Sequence, residues 1–145
     1  MKELFFISGL PRSGSTLLSA ILQQNPDFYA DISSPVQGLV ASTINVITDS
    51  ESNHLIDEPR RKHILRALVQ SYYDAVKPNT VFDTSRGWTS KTSLLKELYP
   101  QTKIICCVRD LPWILDSFER IAAKNTLYNA ALTDDESCQT VTTRC

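Results

Sequence analysis

The architecture of the chain follows from residues 5–18, which read Phe5-Phe6-Ile7-Ser8-Gly9-Leu10-Pro11-Arg12-Ser13-Gly14-Ser15-Thr16-Leu17-Leu18. An apolar run, a turn bounded by Gly9 and Gly14, and an amphipathic segment that begins near Ser13 predict a strand, a loop and a helix in direct succession. In such a unit the free backbone N–H groups and the positive end of the helix dipole point at the loop. The sequence therefore predicts a phosphate-binding loop.

The loop differs from the nucleoside-triphosphate form in the position of its cation. That form is G-x-x-x-x-G-K-[ST], and its lysine reaches the β- and γ-phosphates. Here Ser15 stands in the lysine position, Thr16 fills the hydroxyl position, and the positive charge lies at Arg12. A basic side chain inside a glycine-bounded turn at a helix N-terminus is poorly explained by solubility. We therefore interpret Arg12 as functional, with a solvated loop arginine as the alternative.

Length and charge limit the classes of protein that need to be considered. A chain of 145 residues that is 42% hydrophobic predicts one globular domain at most. Its net charge of −1 argues against a general nucleic-acid or membrane-surface binder, because such binders carry a clustered basic excess. The apolar run at residues 4–10 is too short for a secretory segment or a membrane span. We expect no nucleic-acid partner and no membrane partner.

The four cysteines do not follow the pattern of a disulfide scaffold. Cys106 and Cys107 are neighbours in an apolar run, and adjacent strand residues point to opposite faces. Cys138 and Cys145 lie in a polar tail. This usage predicts reduced thiols and a cytoplasmic location.

Periodicity and turn signals predict an alternation of strands and helices. Strands are predicted at 3–8, 28–32, 80–83 and 103–108, and helices at 13–24, 35–48, 59–76, 90–99 and from residue 111 onward. The order β-α-β-α-α-β-α-β-α is typical of a three-layer α/β fold with a parallel sheet. The fourth strand is apolar on both faces, as interior parallel strands are.

The end of the chain departs from this alternation. Residues 133–145 are polar and supply no strand that would complete the sheet. The pattern predicts a single domain over residues 1–145 that is truncated at its C-terminus. The alternative is a small four-stranded domain with a frayed end.

A second basic position follows the fourth predicted strand. Arg109 ends that strand, and Ser117 lies nearly two turns into the next helix. Ligands of open α/β sheets bind beyond the carboxyl ends of the strands, so Arg109 is expected at the same edge as Arg12. Its guanidinium matches a phosphate bidentately, and Ser117 offers a hydroxyl. Two anion sites at one edge imply a nucleotide phosphorylated at two positions. An Arg109–Asp110 ion pair and a solvated Ser117 are the alternatives.

Residues 11–16, followed by Arg109 and Ser117, resemble the sulfotransferase family that uses 3'-phosphoadenosine 5'-phosphosulfate (PAPS). The resemblance extends to about residue 121, includes residues 83–88, and is closest to bacterial sulfotransferases and the tyrosylprotein branch. It implies a P-loop-like fold and transfer of a sulfuryl group, without a metal, to a hydroxyl or amine of a small-molecule or peptide acceptor. The implied 5'-phosphosulfate contacts are Arg12, Ser13, Gly14, Ser15, Thr16 and Leu17, and the implied 3'-phosphate contacts are Arg109 and Ser117.

The resemblance supplies no general base. The position of the glutamate of the tyrosylprotein branch is Ser33, and the position of the histidine of the cytosolic enzymes is about Ser85. Asp31 and Asp83 are the nearest carboxylates at strand ends and are the candidate bases. Capping of the following turn is the structural alternative for Asp83.

The adenine contacts are also open. Leu17 occupies the position at which the cytosolic enzymes stack adenine on a tryptophan, so other residues are expected to contact the base. We interpret Trp88 and Trp113 as packing residues, with base stacking as the alternative.

Two other functions compete with sulfuryl transfer. A P-loop kinase or nucleotidase would use Mg-ATP. Thr16 would then bind the magnesium ion, and Asp83, at the end of an apolar strand, would take the role of the Walker B carboxylate. Ser15 in the lysine position argues against it. The other alternative is a non-catalytic fragment that binds a nucleotide.

Overall fold

The computed structural model describes residues 2–49 and 53–124. One parallel sheet has the strand order β2-β3-β1-β4. Its strands are β1 (Glu3–Gly9), β2 (Phe28–Ala30), β3 (Thr80–Thr84) and β4 (Lys103–Cys107). β1 therefore lies between β3 and β4, and the carboxyl ends of all the strands meet at one edge. The predicted parallel α/β fold is confirmed.

Helices connect successive strands. They are α1 (Ser15–Leu22), α2 (Val36–Thr48), α3 (Glu58–Tyr73), α4 (Thr92–Leu98) and α5 (Leu111–Lys124), and a 3₁₀ helix spans Arg86–Lys91. α3 begins where the sequence provides a cap: Asp57 accepts a hydrogen bond from the backbone N–H of Arg60 at 3.0 Å, and Pro59 stands in the first turn. The 3₁₀ helix is the one element here that the periodicity did not predict, because short 3₁₀ turns lack the repeat of an α-helix.

The alternation of side chains along β1 divides the core into two clusters. Leu4 and Phe6 join a large cluster with residues of α2, α3 and α4, whereas Ile7 joins a smaller cluster that includes Leu18 and Leu22 of α1. Successive residues of a strand face opposite sides of the sheet, so helices cover both faces. The result is the three-layer arrangement.

β4 corrects one prediction. Its apolar character predicted an interior strand, but in the described part of the chain it pairs with β1 alone, and Cys106 is exposed. The apolar pattern has another cause: Ile104 packs against the large cluster, while Ile105 and Cys107 pack against the small one. The polar tail at 133–145, and with it the predicted truncation, lies outside the described residues.

Gly9 ends β1 in a place that only glycine can occupy. Its φ is +154°, and a Cβ there would lie 2.5 Å from the carbonyl oxygen of Cys107. Gly9→Ala is therefore expected to lower the free energy of unfolding by at least about 1–3 kcal/mol, measured by urea denaturation. Gly38→Ala is the matched control, because no heavy atom lies within 4 Å of its would-be Cβ in α2. The control is expected to raise stability by about 0.5–1 kcal/mol. Equal responses of the two variants would contradict this reading of Gly9.

Candidate active site

The loop between β1 and α1 begins with a strained turn. The backbone N–H of Ser13 donates to the carbonyl of Leu10 at 3.1 Å, which closes a four-residue turn. Pro11 holds its own φ near −65° at the second position, and Arg12 has φ +67° at the third. This is a type II turn, whose third position normally holds glycine. The left-handed conformation costs a non-glycine residue about 1–2 kcal/mol, so the arginine is present despite the backbone.

The start of α1 presents uncapped amides to this turn. Gly14 is the N-cap with φ +105°, and no side chain makes a capping hydrogen bond there. The first turn of α1 also contains no acidic residue. The first N–H groups of a helix lack intrahelical partners and carry the positive end of the dipole. This end of α1 is suited to an anion.

Ser13 places a buried hydroxyl in the same loop. Its Oγ has no hydrogen-bond partner in the described part of the chain and lies 2.6 Å from the position that a Cβ on Gly9 would take. A buried hydroxyl without a partner is rare in a folded protein and calls for a ligand or solvent to satisfy it. The loop thus combines uncapped amides with an unpaired donor, which is the chemistry that a phosphate requires.

The structure brings Arg12, Arg109 and Ser117 into direct contact. Arg12 Nε donates a hydrogen bond to Ser117 Oγ at 2.8 Å, and Arg109 Nη1 donates to the carbonyl oxygen of Arg12 at 3.0 Å. These bonds join the loop after β1 to the loop after β4 and to the second turn of α5. Both arginines are exposed, so their remaining N–H groups face solvent. The carboxyl edge of the sheet carries two adjoining cations, and their roles in phosphate binding stay predictions.

The other loop positions named by the sequence lie on the first turn of α1. Thr16 and Leu17 are exposed, and Leu17 keeps 65% of its surface. Ser15 is half-buried, and its carbonyl accepts a hydrogen bond from Ser19 Oγ at 3.0 Å. Ser19 Oγ also bonds to Thr84 Oγ1 at 2.8 Å, which fastens α1 to β3 below the loop. The helix start is therefore held rigidly against the sheet.

Asp83 lies inside the core and not at the exposed edge of the sheet. Its side chain has no exposed surface. Three groups donate to its carboxylate: Ser34 Oγ at 3.0 Å, Tyr73 OH at 2.5 Å and Trp88 Nε1 at 2.7 Å. These residues come from the loop before α2, from α3 and from the 3₁₀ helix, on the face of the sheet opposite α1. The geometry gives Asp83 a structural function, and its role as a base stays a prediction.

The same geometry bears on the kinase alternative. That function requires Thr16 and Asp83 to share one magnesium ion. Thr16 lies on α1 at one face of the sheet, whereas the Asp83 oxygens are bonded to three donors at the other face. The arrangement does not fit a shared metal.

Asp31 follows β2, the strand two places away from β1. Two strand spacings separate its backbone from the end of β1 by about 10 Å. The carboxylate is half-buried and accepts a hydrogen bond from Tyr29 OH at 2.6 Å. That hydrogen bond, with burial, raises the pKa of Tyr29 to about 12. The Asp31 carboxylate is therefore partly accessible to solvent, and Tyr29 is its hydrogen-bond donor.

Comparison with known proteins decides the family. Residues 5–144 match the family model of the Sulfotransferase family. The chain belongs to the sulfotransferase family. No curated protein matches it closely enough to be counted as a relative. The family assignment and the parallel sheet together identify a sulfuryl-transferring type of protein.

Two further structural observations concern this sulfotransferase. Among the helices of residues 2–49 and 53–124, none has the length and apolar character needed to cross a membrane. Over the same ranges, no three His, Cys, Asp or Glu side chains are grouped so as to hold a metal ion.

Sequence reasoning missed the network around Asp83. Tyr73 lies on the apolar stripe of α3, and Trp88 is the one large apolar residue of the 3₁₀ helix, so neither could be distinguished from an ordinary core residue. Ser34 accepts the backbone N–H of Val36 at 3.0 Å, so its position before α2 signalled a helix start but not the carboxylate. The one available signal was the acidic residue in an otherwise apolar strand, because a buried charge must find donors.

Burial raises the pKa of the Asp83 carboxyl above its ordinary value of 3.8, while its three hydrogen bonds act in the opposite direction. The folded protein therefore binds the proton more tightly than the unfolded chain. Its extra stability is fully present below pH 3.8 and is lost as the pH rises through the folded pKa.

Asp83→Asn tests this shift, because asparagine has the same shape and does not titrate. The free energy of unfolding of the wild type, relative to the variant, is expected to increase as the pH falls from neutral towards 3.8. The increase is about 1.4 kcal/mol for each pH unit by which the folded pKa exceeds the unfolded one. Urea unfolding of both proteins across this range measures it. A difference that is constant, or that shrinks at lower pH, would contradict the raised pKa.

Proposed function

We propose that this sulfotransferase transfers a sulfuryl group from PAPS to a hydroxyl or amine of a small-molecule or peptide acceptor. The observation that carries the proposal is the contact of Arg12 with both Ser117 and Arg109. It adds a second cation to a loop that already offers uncapped amides. A donor that carries phosphate at two positions of one ribose suits two adjoining cationic groups better than a triphosphate does.

The described residues divide between the two ends of such a nucleotide. Arg12, the amides of Ser13 to Thr16 and the unpaired Ser13 hydroxyl would hold the 5'-phosphosulfate, with Leu17 beside them. Arg109 and Ser117 would hold the 3'-phosphate. Support comes from the buried Ser13 Oγ without a partner and from the open space beside Gly14, where no heavy atom lies within 4 Å of a would-be Cβ. PAPS supplies the activated sulfuryl group when it is bound.

The residues of the loop then act on charge. As the bond to the leaving phosphate weakens, negative charge builds on the bridging oxygen. Donors that are already fixed stabilise that charge without reorganising, and this is the main source of rate enhancement in group transfers of this kind. Arg12 is fixed twice, by its left-handed backbone and by its bond to Ser117. The left-handed backbone at Arg12 is therefore part of what holds the guanidinium in place before the nucleotide binds.

Asp31 is the better candidate for the proton acceptor. A general base must come within hydrogen-bond reach of the acceptor's proton. Asp83 has no exposed surface, whereas Asp31 is half-buried at the same edge of the sheet. We therefore assign the base to Asp31 within this proposal.

The branch within the family is part of the proposal as well. Leu17 replaces the stacking tryptophan of the cytosolic enzymes and is largely exposed, which removes one feature of that branch. The likeness of residues 11–16 and 83–88 favours the bacterial and tyrosylprotein branch.

Calorimetry with two ligands tests the proposal. Adenosine 3',5'-bisphosphate is expected to bind without a divalent metal, and Arg109→Ala is expected to weaken that binding at least about ten-fold, because a charged hydrogen bond is worth about 1.5–3 kcal/mol. Arg60→Ala is the matched control: it removes an exposed arginine from α3 and should leave the affinity unchanged. Binding of Mg-ATP alone, without binding of the bisphosphate, would reject the proposal in favour of a kinase.

Arg12 variants separate the charge of the side chain from the strain of the backbone. Arg12→Ala and Arg12→Gly are both expected to lose about 100- to 1,000-fold in turnover, followed as formation of adenosine 3',5'-bisphosphate, because a preorganised donor is gone. The glycine variant should be about 1–2 kcal/mol more stable than the alanine variant, because glycine adopts the left-handed conformation without cost. Equal stabilities, or wild-type turnover in either variant, would contradict this account.

A further inference from the structure

The two tryptophans of the chain have opposite environments. Trp88 is 1% exposed, donates to Asp83 and packs edge-on against Phe6 with ring centroids 4.8 Å apart. Trp113 keeps 57% of its surface in the first turn of α5. The prediction that both tryptophans are packing residues is therefore correct for Trp88 and wrong for Trp113. An indole that is left this open contributes little to the core.

Trp113 lies beside the cationic edge of the sheet. Its backbone N–H donates to the carbonyl of Asp110 at 3.1 Å, which fixes it at the start of the helix. Ser117 follows four residues later, so the two side chains occupy one face of α5 with Cβ atoms about 5–6 Å apart. Ser117 Oγ in turn accepts the hydrogen bond from Arg12. The exposed indole, the hydroxyl and the guanidinium therefore follow one another along a single surface.

Exposed apolar residues accompany Trp113 in the chain, and so do the exposed carboxylates of Asp110 and Asp116. Val108, which precedes α5, is 85% exposed, and Leu111, the first residue of α5, is 61% exposed. An exposed flat aromatic ring on the same helix face as a hydroxyl that a guanidinium contacts has the chemistry of a base platform. Stacking of a base on an aromatic side chain is worth about 1–3 kcal/mol and needs no specific hydrogen bond.

We propose that Trp113 is the platform on which the purine base of the nucleotide stacks. The inference rests on the proposed function, since it requires the 3'-phosphate to lie at Arg109 and Ser117. One ribose ring separates the base from the 3'-phosphate, which suits the one-turn spacing of Trp113 and Ser117 on α5. Leu17 on α1 has no aromatic ring on which a base could stack. Trp113 on α5 would supply that ring instead.

Tryptophan emission reports on the stacking directly. Trp113 is the solvent-exposed residue of the two tryptophans, so adenosine 3',5'-bisphosphate is expected to quench the fluorescence emission of the wild type. In Trp113→Phe, only the buried Trp88 emits, and the ligand should leave the spectrum unchanged. Pyrophosphate is the matched ligand without a base, and it should not quench either protein.

Affinity provides the second measurement. Trp113→Ala is expected to bind the bisphosphate about ten-fold more weakly than the wild type in calorimetry. The affinity of Trp113→Phe is expected to lie between those of the wild type and Trp113→Ala, because phenylalanine keeps a smaller ring. The affinity for pyrophosphate should be the same in all three proteins. Val46→Ala, which truncates an apolar residue of α2 that is 66% exposed, controls for loss of surface area.

The outcomes distinguish this inference from the function on which it rests. If the wild type binds the bisphosphate but shows no quenching, and Trp113→Ala binds it equally well, the platform is rejected and the proposed function stands. If the wild type does not bind the bisphosphate at all, both are rejected. Equal weakening of bisphosphate and pyrophosphate binding in Trp113→Ala would also reject the platform, because a stacking residue acts on the base alone.

Discussion

Parallel pairing of β1 with both of its neighbours determines where everything else in the molecule lies. Ile7 pairs with Thr84 of β3 and with Ile105 of β4, so the three strands end at nearly the same level. Two pairs further along, Gly9 lies so close to the backbone of Cys107 that no side chain fits at position 9. The loops after β1 and β4 therefore leave the sheet side by side. The contacts of Arg12 with Arg109 and Ser117 are a direct consequence of that register.

The two faces of the sheet serve different purposes. On one face, the Ser19–Thr84 hydrogen bond fixes α1, which presents its amides to the loop. On the other face, Asp83 ties together three segments that are remote in the chain. A buried carboxylate costs free energy unless several donors surround it, and here the donors are neutral. Such a network favours one arrangement of the loop before α2 and of the 3₁₀ helix over others. Both segments follow the carboxyl ends of strands, so they border the same edge of the sheet as the loop that holds Arg12.

Much of this arrangement could be predicted from the residues alone. The spacing of Gly9, Arg12 and Gly14 indicated the loop, and the rule that parallel strands share a carboxyl edge placed Arg109 near it. Local signals also located the helix starts, as Asp57 shows for α3. These predictions succeeded because each depended on neighbouring residues or on a general rule of topology.

The remainder depended on contacts between distant segments. Ser34 and Asp83 are 49 positions apart in the chain, and no periodicity links them. The apolar spacing of the helix predicted from residue 111 onward indicated packing over several turns, yet Ile114, at 4% exposed, is the only buried residue of α5. Periodicity reports which face of a helix is apolar, but the tertiary structure decides how much of that face is covered. Trp113, which was interpreted as a packing residue from its type alone, is 57% exposed.

Two guanidinium groups at one edge, one of them bonded to the backbone of the other, also determine how the protein responds to its solvent. Like charges that are close together repel each other, and an anion that lies between them relieves the repulsion. If the proposed phosphate-binding roles of Arg12 and Arg109 hold, sulfate and phosphate ions bind the native state in preference to the unfolded chain and raise its melting temperature by mass action. Under the proposed function, the same ions would compete with the nucleotide for this edge of the sheet. Nucleotide affinities measured in phosphate buffer will then understate those measured in a buffer of monovalent anions.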